Sequence, residues 1–218
     1  TAYGVTTCLE FRRVLFRSGE PVDLFFQPDD GRRRRKLLVA DMDSTIITTE
    51  CIDEMADLLG LKAQVAAITQ RAMAGELDFP SALRERARML AGLGVDDLRA
   101  VFEQRIHLSP GARALVATMS AHGAFTALVS GGFTFFTERV AAAAGFDHHQ
   151  ANRLQFAGGR LNGLGDERSQ GAAEKLAALK TQAARGRLDR NATLAGGDGA
   201  NDQELIKEAG RGAAAPAT

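Results

Sequence analysis

Beyond Lys36, short unbroken apolar runs alternate with stretches whose apolar residues recur at helical spacing. That is the pattern of an α/β domain with a parallel sheet. Leu37-Leu38-Val39-Ala40, Phe125-Thr126-Ala127-Leu128-Val129 and Ala192-Thr193-Leu194-Ala195 read as strands buried on both faces. The first stops at Asp41-Met42-Asp43-Ser44-Thr45, the second at Ser130-Gly131-Gly132, the third at Gly196-Gly197-Asp198-Gly199. Open α/β sheets bind ligands beyond the carboxyl ends of their strands, so these turns are where a site is expected.

Between the first and second strands the apolar period is helical throughout. Ile52, Met55, Ala56 and Leu59 form one stripe, and Val65, Ile68, Ala72 and Met73 a second. Leu83, Ala87 and Leu90 mark a third, and Leu98, Val101 and Phe102 a fourth, with Gly60, Gly75, Gly92 and Gly94 at the joints. A stretch of this length exceeds any βα loop, so residues 48–109 are expected to form a helical cap. Residues 36–47 and 110–218 would then be the sheet-bearing core. Helices are predicted after Pro110-Gly111, from Gly132 to Gly145, over Gly171–Ala184 and from Asp202 to Ala209. A hairpin is predicted around Gly158-Gly159.

Residues 1–35 read as an arm or linker. Thr1–Ser18 has neither clean periodicity nor the layout of a secretory signal, and Leu15-Phe16-Arg17-Ser18 resembles translated adaptor sequence. Gln27–Gly31 is turn-rich, and Arg32–Lys36 is a basic run that reads as a solvated edge.

Composition narrows the function classes. The chain has 218 residues, 45% hydrophobic and 25% charged, with 27 basic and 27 acidic side chains. The formal net charge is zero, which offers no general attraction to nucleic acid or an anionic membrane. No apolar run is long enough to span a bilayer. Two cysteines, Cys8 and Cys51, without CxxC spacing, point to a reducing cytoplasm.

Candidate chemistry sits at the strand ends. Asp41 and Asp43 lie two positions apart, so in extended geometry both face one pocket. One carboxylate could attack phosphorus and the other could shuttle a proton. Their mutual repulsion favours a shared proton or a cation. Asp198 adds a hard oxygen donor of the kind Mg²⁺ prefers. Ser130 and the N–H groups after it suit a phosphoryl oxygen, and Lys175 offers a compact positive charge. Taken singly, each residue has a plainer reading. DxD is common in turns and caps, Asp198 could form an Asx-turn, Ser130 a helix cap, and Lys175 a surface lysine.

Together, four stretches in order resemble the motifs of the haloacid dehalogenase superfamily. They are Asp41-Met42-Asp43-Ser44-Thr45-Ile46, Ser130-Gly131-Gly132-Phe133-Thr134, Lys175, and Gly197-Asp198-Gly199-Ala200-Asn201-Asp202. Within that superfamily the likeness is to members that act on phosphoserine. It is supported by Glu50-Cys51-Ile52-Asp53-Glu54, Ala72–Phe79, Leu83-Arg84-Glu85-Arg86 and Ala151-Asn152-Arg153-Leu154.

The resemblance implies a Rossmann-like core with a helical cap inserted after the first strand. It also implies a Mg²⁺-dependent phosphatase of serine biosynthesis that works through an aspartyl phosphate. Asp41 would be the nucleophile and Asp43 the general acid and base. Asp41, Asp198 and the Asp43 backbone carbonyl would bind Mg²⁺. Ser130, Gly131, Lys175 and Asn201 would hold the phosphoryl group. Glu50 would meet the substrate ammonium, Arg86 its carboxylate, and Met73 and Phe79 would close a lid. From the residues alone, Glu50 could equally cap a helix, Arg86 lie on a solvated face, and Met73 and Phe79 pack within the cap.

The chain departs from the family pattern in places. Gly163–Arg168 is irregular, Gly196 replaces a strand apolar residue, and Arg211 replaces a leucine. The family's C-terminal strand and helix are expected to be missing. Phosphoryl transfer to an alcohol such as homoserine, and an inactive fragment that binds Mg²⁺ and phosphate, remain as alternative functions. A nucleic-acid module resting on Arg32–Arg35 stands behind both.

Overall fold

A computed structural model describes residues 34–165 and 170–214. The adaptor-like run, Arg32 and Arg33 of the basic run, and the stretch 166–168 lie outside the described residues. Within them, β1 (Leu37–Ala40) leads into a π-helical turn, Met42–Ile46. Four helices follow: α1 (Cys51–Leu58), α2 (Lys62–Met73), α3 (Phe79–Met89) and α4 (Val95–Arg105). Next come α5 (Ala112–Ala121), β2 (Phe125–Phe133), α6 (Thr134–Ala144) and β3 (His148–Asn152). A hairpin of β4 (Leu154–Ala157) and β5 (Arg160–Gly165) precedes α7 (Ala172–Arg185). The described chain ends with β6 (Thr193–Gly197), α8 (Gln203–Glu208) and β7 (Arg211–Ala214).

Five strands form one parallel sheet in the order β3-β2-β1-β6-β7. The chain builds outward from β1 first to one side and then to the other, so the strand order reverses at β1. That reversal opens a crevice at the carboxyl ends of β1, β2 and β6. Strand side chains alternate between faces, and the core divides accordingly. Leu37, Val39, Ala127, Val129 and Ala195 pack with Ala178 and Leu179 of α7 and Leu205 of α8. Leu38, Ala40 and Leu128 join Val116 of α5, Phe136 and Val140 of α6, and the insertion's Met55, Val65, Leu83 and Leu98. Both faces of β1 are therefore covered, which is why its four residues are apolar without alternation.

The insertion leaves and rejoins the sheet through two strands of chain lying side by side. Ile47 and Leu108 form an antiparallel bridge. Thr48 N–H donates to His107 O (3.0 Å), and Ser109 N–H to Ile46 O (2.9 Å). The hairpin touches the insertion as well. Leu161 N–H donates to Leu93 O, and Gly92 N–H to Leu161 O, each at 2.8 Å. Helix starts follow ordinary capping: Asp78 Oδ1 accepts from Ser81 N–H at 2.6 Å, and Asp97 Oδ2 from Gly94 N–H at 2.7 Å.

Several local expectations are corrected. A strand that no local sequence signal announced follows the last helix: β7 pairs with β6, Gly196 against Ala213. A Cβ on Gly196 would sit 3.9 Å from Ala213 O, an ordinary contact, so the glycine leaves the ladder intact. Gly163–Gly165 lies inside β5 rather than in irregular chain. β2 does not stop at Val129 but continues through a register shift to Phe133, so Ser130-Gly131-Gly132 is a bulge in the strand. Arg35 donates to Asn191 O and is tied to the fold. Among the described residues no helix is long and apolar enough to cross a membrane.

Candidate active site

The site begins where β1 ends. Asp41 N–H donates to Gly196 O at 2.9 Å, which extends the ladder by one residue and fixes the carboxylate at the crevice. Its Oδ1 accepts from Met42 N–H (2.8 Å), and its Oδ2 lies 2.7 Å from Lys175 Nζ. The chain then winds into the π-helical turn, with Ser44 at φ 50°, rather than running on extended. The turn carries Asp43 over β2, where Oδ2 accepts from Ser130 Oγ (3.1 Å) and Oδ1 from Cys51 N–H (2.9 Å). Gly132 N–H in turn donates to Ser130 Oγ at 2.8 Å.

The third strand end joins them. Asp198 Oδ1 accepts from Thr45 Oγ1 at 3.1 Å, which links the turn after β6 to the turn after β1. That contact replaces the Asx-turn alternative for Asp198. Asp202 turns back beneath: Oδ1 lies 2.8 Å from Lys175 Nζ, and Oδ2 accepts from Gly199 N–H at 3.2 Å. A side chain on Gly197 would collide with the Asp202 carboxylate, so glycine is required there. Lys175 and Asp202 are fully buried and Asp41 nearly so. Lys175 is thus an internal counterion shared by two carboxylates, not a surface lysine.

A buried amide braces the assembly. Asn152 Nδ2 donates to Gly131 O (2.7 Å) and Gly132 O (3.2 Å), while its Oδ1 accepts from Gln170 N–H (2.6 Å). The β2 bulge and the start of α7 are therefore held together. Asn152 was legible as part of a motif, but nothing in the sequence assigned it this work.

The insertion supplies the opposite wall. Glu50 Oε1 accepts from Ser44 Oγ at 2.8 Å, and its side chain makes no cap bond to α1. Arg86 is half-buried; Nε donates to Ala82 O and Nη1 to Thr69 Oγ1, both at 3.3 Å. It does not lie on a solvated face. The Phe79 ring lies over Gly131 and Gly171, so close that a Cβ on Gly131 would be 2.8 Å from Cζ. Met73 ends α2, and its side chain lies outside what is described. Asn201 sits half-buried in the 3₁₀ turn Ala200–Asp202 beside Asp198.

Burial dominates the electrostatics. Asp41 is pushed up to about 8 by desolvation, against the pull of Lys175 and with the help of Asp202 and Asp43. Desolvation also raises Asp43, despite hydrogen bonds from Cys51 and Ser130. It takes Glu50 to about 7, assisted by the charges of Asp43 and Asp198. For Lys175, desolvation is outweighed by Asp41 and Asp202, and its pKa rises.

One oxygen each of Asp41, Asp198 and Asp202 falls within 4.8 Å of the other two. Asp43 adds its carboxylate alongside, and among the described residues Lys175 is the one ammonium in contact with this group, on Asp41 and Asp202. This hard, all-oxygen donor set with an excess of negative charge fits a divalent cation.

A parallel sheet that reverses at β1, with an aspartate after β1, a second two residues on and a lysine-linked acidic turn after β6, defines a hydrolase fold. Residues 38–207 match the haloacid dehalogenase-like hydrolase family, and the chain belongs to it. Among its relatives, the phosphoserine phosphatase of Albidiferax ferrireducens is 42% identical over 80% of this chain and 76% of its own. That of Archaeoglobus fulgidus is 39% identical over 97% of this chain but only 62% of its own length. The latter match leaves out about seven residues of this chain (3% of 218) and so takes in most of the N-terminal arm. A solved phospho-aspartyl intermediate analogue of phosphoserine phosphatase superposes with a TM-score of 0.76 at 33% identity, covering 84% of this chain and 87% of that one.

Proposed function

We propose that the protein is a Mg²⁺-dependent phosphatase that converts O-phospho-L-serine to L-serine and phosphate, the last step of serine biosynthesis. The observation that carries this reading is the convergence of Asp41, Asp43, Ser130 and Lys175 in one crevice, facing Glu50 and Arg86. The relatives described above support it. Asp41 attacks phosphorus, and the bond from phosphorus to the seryl oxygen breaks as the Asp41–phosphorus bond forms. Asp43, its pKa raised by burial, carries the proton that the departing seryl oxygen takes. A water then attacks the acyl phosphate and gives a proton to the Asp43 carboxylate. The bond to Asp41 breaks, and phosphate leaves.

Ser130, the Gly131 N–H, Lys175 and Asn201 hold the phosphoryl oxygens. Asp41, Asp198 and the Asp43 backbone carbonyl would hold Mg²⁺, whose charge offsets that of the phosphoryl group and the crowded carboxylates. Asp202 serves as brace through Lys175. Glu50 meets the substrate ammonium, and Arg86 its carboxylate. Residues 48–109 act as the cap, with Phe79 excluding water. The buried free thiol of Cys51 suits a reducing cytoplasm.

A phosphate-release screen over small phosphomonoesters, with and without Mg²⁺, tests the proposal. Phosphoserine should be the best substrate, and turnover should vanish in Asp41→Asn or without the cation. Equal rates for Asp41→Asn and its parent would end this mechanism. Adding candidate alcohols and looking for a phosphorylated product separates hydrolysis from phosphoryl transfer.

A further inference from the structure

Arg86 stands apart from its neighbours on α3. Arg84 and Arg88 are exposed, whereas Arg86 is half-buried and faces α2. Its guanidinium is anchored at two points: Nε on Ala82 O of its own helix and Nη1 on Thr69 Oγ1, each at 3.3 Å. The Thr69 hydroxyl spends its one proton on Val65 O at 3.2 Å, so toward Arg86 it can only accept. A guanidinium has five N–H donors in a rigid fork. With Nε and one Nη1 hydrogen taken up, the remaining Nη1 hydrogen and Nη2 form the end-on edge of the fork. That edge binds a carboxylate through two parallel bonds. Burial makes the bare cation costly, while the charges of Asp53, Glu50 and Asp43 favour keeping it.

We propose that Thr69 is a positioning residue that sets substrate specificity: its hydroxyl fixes the Arg86 guanidinium so that the end-on edge meets the α-carboxylate of phosphoserine. The inference rests on the reading of Arg86 given above. It adds a residue from a different helix, one that acts through Arg86. Without that acceptor, Arg86 keeps its charge but loses one of two anchors and samples other orientations. Substrate is then bound less well before the chemical step, while the phosphoryl chemistry at Asp41 is untouched.

The test compares phosphoserine with phosphoethanolamine, which keeps the phosphate and ammonium but lacks the carboxylate. Thr69→Val, nearly the same shape without the oxygen, should raise KM for phosphoserine about tenfold with kcat little changed, as expected when a hydrogen bond to a charged group is lost. Its kcat/KM on phosphoethanolamine should stay within about twofold of the parent. Thr69→Ser should behave as the parent on both. Thr69→Ala removes the same oxygen at no helix cost and should repeat the valine result. Parent-like KM in the valine and alanine variants, or equal losses on both substrates, would overturn the assignment. Arg86→Ala runs alongside. If it discriminates between the substrates and the Thr69 variants do not, only Thr69 falls. If Arg86→Ala treats the two alike, the carboxylate role of Arg86 falls, and the Thr69 inference with it.

Discussion

Lys175→Met is the perturbation with the largest expected effect on the fold. The lysine is fully buried and sits 2.7 Å from Asp41 and 2.8 Å from Asp202. Methionine fills similar space but removes the only ammonium in contact with either carboxylate among the described residues. Breaking a buried ion pair by removing one partner costs about 3–5 kcal/mol. With a urea m-value of about 2 kcal/mol/M, the unfolding midpoint should fall by about 2 M when no divalent cation is present. The chain has no tryptophan and a single tyrosine, so unfolding is best followed by far-ultraviolet circular dichroism. Adding Mg²⁺ should restore more stability to the variant than it adds to the parent, because a bound cation replaces part of the missing charge. Should the metal-free variant unfold at the parent's urea concentration, Lys175 is not the counterion that holds this site together. Gains from Mg²⁺ of the same size in both proteins would show that cation and lysine do not share one cluster.

Asp43→Asn should abolish turnover while leaving Mg²⁺ affinity, read by titration calorimetry, within severalfold of the parent, because the proposed metal contact there is a backbone oxygen. Asp198→Asn should do the reverse to binding and weaken Mg²⁺ strongly. Glu50, with a pKa of about 7, binds an ammonium only as the carboxylate, so KM for phosphoserine should fall as pH rises through 7. A bound cation that offsets Asp43 and Asp198 should shift that midpoint downward, and Glu50→Gln should flatten the profile at a high KM. Since the folded Glu50 keeps a proton that the unfolded chain loses above its ordinary value of 4.5, this group lowers stability as pH rises from 4.5 to about 7. Gly131→Ala would push a methyl to 2.8 Å from the Phe79 ring and should lower activity. A Phe79→Leu partner should recover part of the loss, and strict additivity of the two would refute the contact.

What the sequence made legible were the features with strong local signals. β1 is an unbroken apolar run because both its faces are covered, and the insertion's helices announce themselves by period and by glycine at their joints. β3 was missed because His148-His149-Gln150-Ala151-Asn152 is polar for a strand; it lies at the sheet edge, half-buried over its first three residues. β7 was missed because Arg211-Gly212-Ala213-Ala214 offers only small side chains. Its pairing with β6 supplies what propensity does not. The site's long-range bonds could not be read at all. Thr45 to Asp198 and Lys175 to Asp202 join residues far apart along the chain, and only the sheet order brings them together. Asp41 and Asp43 are joined by a π-helical turn and not by the extended alternation expected of them.

The paired crossings at Ile46–Thr48 and His107–Ser109 have a consequence for engineering. Because exit and return are stitched to each other, the gap the sheet must span stays constant whatever lies between them. A block of different length or shape could be grafted at those two points without disturbing strand register, and new ester preferences could be tried over an unchanged hydrolytic floor. The graft would need to bring its own hairpin, since Leu161 already clasps Leu93 and Gly92 and would otherwise be left gripping nothing.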